Sequence, residues 1–106
     1  MQDVIAKLRQ FRDERDWKQF HNPKDLSLAL SIEASELLEV FLWKSSEDAD
    51  VGKVKEELAD VLAYAFLLAD SYGLDISEIV LEKIRKNELK YPVDKAKGTA
   101  KKYTDL

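Results

Sequence analysis

Glu33-x-x-Glu36 and Glu57-x-x-Asp60 are two acidic pairs, each set in a run whose other periodic positions are mostly apolar. On a helix, residues three apart share a face, so each pair directs two carboxylates nearly the same way. Four carboxylates converging between two helices would form an oxygen-only site, suited to Mg²⁺ or Mn²⁺ rather than zinc or copper. The neighbours of Glu33 at helical spacing are Ala29, Leu30, Glu36 and Leu37, and those of Glu36 include Ile32 and Val40. Acids so placed face a packed interior or its margin, where an uncompensated carboxylate costs several kcal/mol. A bound cation is the simplest compensation. Because Mg²⁺ keeps positions for water and substrate phosphate, four acids suit two or more ions holding a polyphosphate, and the chemistry implied is phosphoanhydride hydrolysis. A carboxylate-bridged iron bundle would need Glu-x-x-His pairs, whereas the one histidine, His21, lies in an expected loop.

Trp17 and Trp43 bracket the first acidic pair. Trp43 follows Glu36 by seven residues, which on a continuous helix places it on the acidic face two turns on. Aromatic planes stack on nucleobases at ~1–3 kcal/mol per base, so a cation site flanked by tryptophans points to a free nucleotide. Tyr64 lies four residues after Asp60, within reach of a sugar. Lys83 and Asn87 are also four apart and offer a point charge for phosphate and paired donors and acceptors for a base edge.

The elements that must position these groups read as helices. Val4, Ile5, Leu8 and Phe11 recur at helical spacing and predict a first helix from about Asp3 to Asp16, followed by a loop from Trp17 to His21. Asn22-Pro23 has the form of an N-cap followed by proline at the first helical position, opening a second helix to about Lys44. After a polar loop, a third helix starts near Asp50 or Val51 and stops at Gly73. Asp75-x-x-Glu78 resembles a capping box for a fourth helix towards Lys90, which Tyr91-Pro92 closes. The expectation is an all-α four-helix bundle over residues 1–92, with 93–106 as an extended tail of the same domain, able to order over a site or a neighbouring subunit.

The chain has 106 residues, 45% hydrophobic and 36% charged, with three Gly, two Pro and no Cys. So few breakers favour long helices, and the lack of cysteine excludes disulfide or thiol chemistry. A net charge of −4 opposes a nucleic-acid polymer as partner, since that binding rests on a basic surface. Met1 to Gln10 is charged and amphipathic, unlike a signal peptide, and no apolar run is long enough for a membrane span. A cytoplasmic protein without a membrane partner is expected, and a chain this short gains from association.

The two acidic pairs, together with Glu14 to His21, Phe41 to Lys44 and Lys101 to Leu106, resemble the all-alpha NTP pyrophosphatases of the MazG-like superfamily, in particular their dCTP pyrophosphatase branch. The resemblance covers nearly the whole chain. It implies Mg²⁺-dependent hydrolysis of a deoxynucleoside triphosphate, dCTP or a modified dCTP, to monophosphate and pyrophosphate, clearing unwanted nucleotides from the pool. Carried over by position, Glu33, Glu36, Glu57 and Asp60 would hold the metal, with Glu36 or Glu33 orienting the attacking water. Trp17, Lys18, Gln19, Phe20, His21 and Trp43 would enclose the base, Tyr64 would contact the nucleotide, and Lys83 and Asn87 match positions for phosphate and base contacts. The resemblance also implies a homo-oligomer, a dimer or a tetramer formed as a dimer of dimers. Leu8 stands where animal enzymes of this branch carry a base-proximal histidine. The alternative from another class is a non-catalytic helical module that binds nucleotides or serves as an interaction domain.

Overall fold

A computed structural model describes residues 1–106. The chain is all-helical, and the four long helices are α1 (Gln2–Glu14), α2 (Pro23–Glu39), α3 (Val51–Ser71) and α4 (Ile76–Lys90). A short α5 (Val93–Ala96) and three 3₁₀ turns, Lys18–Phe20, Ser46–Asp48 and Tyr103–Asp105, complete it. There are two compact units, Met1–Gly73 and Leu74–Leu106.

The helix starts follow local side-chain chemistry. The Asn22 side chain accepts from the Asp25 amide at 2.9 Å, with Pro23 in the first turn. Asp50 Oδ1 accepts from the Gly52 amide at 2.9 Å, and Asp75 Oδ1 from the Glu78 amide at 3.0 Å. Each cap satisfies a donor that the first turn leaves without a carbonyl partner. Asn22→Ala is therefore expected to destabilise the protein by about 1 kcal/mol, read as a lower denaturation midpoint with an unchanged urea slope. At the far end of α3, Gly73 takes φ +65°, a conformation that side chains with a Cβ resist.

Within the first unit α3 packs against both α1 and α2. Its buried apolar centre is small: Ile5 from α1, Leu26 from α2, and Leu67 and Ala69 from α3, with only Leu26 wholly enclosed. A charge cluster joins the helices beside that centre. Arg9 Nε donates to Asp70 Oδ1 at 3.0 Å, tying α1 to α3. Arg12, itself buried, places its Nη1 3.7 Å from Asp70 Oδ2.

Two helices end earlier than their periodicity predicts. α1 stops at Glu14 because Asp16 adopts φ +55°. The Asp16 amide then donates to the Asp13 carbonyl at 3.1 Å and the Trp17 amide to the Arg12 carbonyl at 3.1 Å. That pair of bonds is a Schellman closure, with aspartate where glycine is usual. It delivers Trp17 directly off the helix end.

α2 stops at Glu39 rather than near Lys44. Val40, Phe41 and Leu42 donate three residues back instead of four, to Leu37, Leu38 and Glu39, and Trp43 turns to φ +61°. The apolar run Leu37 to Trp43 contains no Gly or Pro, so its periodicity outlasts the helix. Trp43 consequently does not continue the acidic face of α2, correcting the placement expected from its seven-residue offset.

In the second unit, the stretch after Pro92 is not uniformly extended. Val93–Ala96 forms one helical turn with Pro92 as its N-cap residue, and Tyr103–Asp105 a 3₁₀ turn. Tyr103 meets the Tyr91 ring edge-on at 6.0 Å between centroids, and Lys90 Nζ sits 4.8 Å from the Tyr103 ring centre. The end of the chain thus packs back on the end of α4.

Candidate nucleotide and metal site

α2 and α3 lie side by side, so the acidic faces of both helices meet within one unit. Glu33, Glu36 and Glu57 each bring a carboxylate oxygen within 4.8 Å of the others. Asp60 stands outside this trio, one turn along α3, but its charge still acts on Glu33, Glu57 and Tyr64. Beside the trio, Glu36, Glu57, Lys44 and Lys53 line an open cavity of about 310 Å³.

The electrostatics describe a site short of positive charge. Loss of water, reinforced by the carboxylates of Glu36, Asp60 and Glu57, pushes the Glu33 carboxyl up to about 7. Burial, followed by the charge of Glu36, raises Glu57 as well. Oε2 of Glu33 and Oε2 of Glu57 are both buried without a hydrogen-bond partner. Buried acceptors of this kind are costly unless something supplies a donor or a cation. The donors are all oxygens, and they fit Mg²⁺ or Mn²⁺ in type and in number.

Against the acids lies an aromatic cavity of about 130 Å³, whose wall includes Phe11, Trp17, His21, Asp60 and Tyr64. The Phe11 and Trp17 rings meet edge-on at 5.7 Å between centroids, as do His21 and Tyr64 at 6.4 Å, while Trp17 and His21 lie tilted at 6.4 Å. His21 Nδ1 is buried without a partner. Burial, then the Arg12 charge, lowers the pKa of His21 and favours its neutral form. The Tyr64 hydroxyl is held protonated by burial, then by the charges of Glu33, Asp60 and Glu36. The cavity therefore offers aromatic and apolar walls with the polar groups of His21 and Tyr64 and the charged side chains of Arg12 and Asp60 set into them, beside a cluster that calls for a cation.

The structure distributes the expected site residues unevenly. Trp17, His21, Asp60 and Tyr64 share the aromatic cavity, while Lys18 lines an adjoining one with Arg12, His21 and Asp70. The Gln19 amide is occupied locally, donating to the Asp16 carbonyl at 2.9 Å and to its Oδ2 at 3.0 Å. Phe20 is exposed, and Trp43 is 95% exposed. Lys83 and Asn87 lie one turn apart on α4, in the second unit. The wall also contains Leu8, Phe11 and Arg12 of α1. For Arg12 a signal was present in the sequence: it sits four residues after Leu8, on the stripe that Ile5 and Leu8 define.

The sequence pattern of the MazG-like family matches residues 28–106, a span that contains both acidic pairs. The chain belongs to the MazG-like family. Similar proteins include dCTP pyrophosphatase 1 of Rattus norvegicus, 41% identical over 116 residues, an alignment covering all of this chain and 67% of the rat protein. dCTP pyrophosphatase 1 of Homo sapiens is 37% identical over 114 residues, again covering the whole chain and 67% of the relative. Among solved structures, a pyrophosphatase from Archaeoglobus fulgidus superposes with a TM-score of 0.81 at 43% identity, covering 87% of this chain and 92% of that one. The family and the branch expected from the acidic pairs and the tryptophan segments are borne out. No helix of this MazG-like chain is long and apolar enough to cross a membrane.

Proposed function

We propose that this MazG-like protein is a nucleoside triphosphate pyrophosphohydrolase acting on dCTP or a base-modified dCTP, releasing the monophosphate and pyrophosphate and so clearing the cytoplasmic nucleotide pool. The observation that carries the reading is the trio Glu33, Glu36 and Glu57, with two buried and unpartnered carboxylate oxygens, and one turn along α3 from Glu57 the acid Asp60 in the wall of an aromatic cavity. The relatives named dCTP pyrophosphatase 1 support the same chemistry and suggest the base.

Glu33, Glu36, Glu57 and Asp60 would hold Mg²⁺, with Mn²⁺ as an alternative. When bound, such an ion neutralises phosphate charge and eases ionisation of the attacking water. Glu36 and Glu33 orient that water towards the α phosphorus. Trp17 and His21 form the walls for the base, and Tyr64 presents a protonated hydroxyl to the nucleotide. Lys83 and Asn87 are the second unit's candidates for phosphate and base contacts, and Lys18, Gln19, Phe20 and Trp43 remain candidates for enclosing the base.

The working form would be a homo-oligomer, a dimer or a pair of dimers. Leu28, Ile32 and Leu38 of α2 and Leu58 and Leu62 of α3 are all exposed in the single chain, and apolar side chains left in water on both helices support a contact with a second copy.

Pyrophosphate release from the common ribo- and deoxyribonucleoside triphosphates and 5-methyl-dCTP, with Mg²⁺ and with EDTA, tests the reading. Mg²⁺-dependent release confined to cytosine deoxynucleotides is expected. Release from all bases alike would remove the dCTP assignment. No release from folded protein, with tryptophan quenching by nucleotide retained, would leave a non-catalytic binding module.

A further inference from the structure

The aromatic cavity has one cationic side chain in its wall, Arg12. Arg12 is only 8% exposed. Its Nε donates to Asp13 Oδ1 at 2.8 Å, while Nη1 is 3.7 Å from Asp70 Oδ2, a charge contact beyond hydrogen-bond length. A guanidinium carries five N–H donors in a planar fork. The terminal nitrogens of Arg12 therefore retain unused donors, and the residue lines both the aromatic cavity of about 130 Å³ and the adjoining one that holds Asp70. Leu8, one turn earlier on the same wall, is apolar and contributes none.

The bases differ in what they present to a two-donor fork. Cytosine has N3 and O2 as adjacent acceptors on one edge. Thymine and uracil interpose an N3–H between their carbonyls. Adenine and guanine each set a donor beside an acceptor on the pairing edge, and guanine offers two acceptors only at N7 and O6 of a larger, bicyclic base. The remaining polar groups of the cavity do not duplicate the fork: Asp60 is an acceptor, and Tyr64 and His21 bring single polar atoms.

We infer that Arg12 is a specificity-determining residue that selects cytosine by donating to N3 and O2 of a base held between the cavity's aromatic walls. The inference rests on the proposed nucleotide site, but it concerns binding of the base and is separable from hydrolysis.

Tryptophan fluorescence titrations of the full chain with dCMP, dTMP and dGMP, for the wild type, Arg12→Lys and Arg12→Ala, test it with no turnover involved. Lysine keeps a positive charge near Asp70 and loses the planar fork. The wild type is expected to prefer dCMP. Arg12→Lys is expected to weaken dCMP binding by about ten- to a hundredfold, the worth of a good bidentate base contact, while leaving dTMP affinity unchanged. Arg12→Ala should lose the same preference, and Arg12→Lys decides alone if the alanine variant does not fold. Equal weakening of dCMP and dTMP would show that Arg12 only braces the loop, and would overturn the inference. A wild type with no preference for dCMP, or one that prefers dGMP, would overturn it as well. A wild type that selects dCMP through Arg12 yet releases no pyrophosphate from dCTP would sink the hydrolase reading and uphold this one.

Discussion

Glu33→Gln is expected to lower kcat for pyrophosphate release by more than about a hundredfold, because even groups that only support a metal ligand are worth ten- to a hundredfold. The same substitution should raise the melting temperature of the EDTA-treated protein. Both effects have one source. Glu33 Oε2 is buried without a partner, and the carboxylates of Glu36 and Glu57 lie against it. In the absence of a cation, a neutral amide removes repulsion and adds two donors facing acceptors. Loss of activity alone would fit almost any damaged residue. Loss of activity with a gain in metal-free stability is the signature of a charge retained for function at the expense of the fold. A variant that turns over normally, or one that melts lower in EDTA, would contradict the assignment.

The second large effect is on the pH dependence of the metal-free protein. Glu33 has an ordinary value of 4.5 and is raised to about 7 in the fold. Between those pH values the folded chain holds a proton that the unfolded chain has released. The stabilising contribution is therefore complete below about 4.5 and lost as the pH rises through about 7. Glu57 is shifted in the same direction. His21 is shifted downward and acts oppositely below its ordinary 6.5, whereas Asp13 and Asp70, both lowered by arginine partners, exert their effect below 3.8. Comparing wild type with Glu33→Gln across pH 5 to 8 in EDTA cancels the groups common to both. The variant's advantage should widen with pH, and in a domain of this size each kcal/mol moves the melting point by about 4–8 °C. Saturating Mg²⁺ should reverse the order, since only the wild type retains the full ligand set. A constant difference across that range would mean that Glu33 titrates normally.

Much of this was legible in the sequence because helix register is a local property. Glu33 and Glu36 share a face whatever surrounds them, and Asn22, Asp50 and Asp75 cap their helices within three residues of themselves. What spacing does not contain is the point where one helix stops and the distance at which another passes. Trp43 leaves the acidic face because the end of α2 is set by a switch to hydrogen bonds three residues back, which no Gly or Pro announces. Trp17 lies off the end of α1, as the break in periodicity predicts, but the closure that holds it runs through Asp16 in a conformation usually taken by glycine. The partition of the four acids into a trio and an outlying Asp60 depends on how α2 approaches α3. Arg12 stands at helical spacing from Ile5 and Leu8, but its burial depends on the packing of α3 against α1.

Trp43 combines a left-handed backbone with an indole that is 95% exposed. The chain has already met the conformational cost of that turn, while nearly all of the ring remains in water. Covering an aromatic side chain of this kind removes about 150–250 Å² from solvent, which at ~25 cal/mol per Å² amounts to about 4–6 kcal/mol. Part of that is offset by the cost of association, but the gross gain is held at a single position and available to whichever surface, base or second chain, first closes over it.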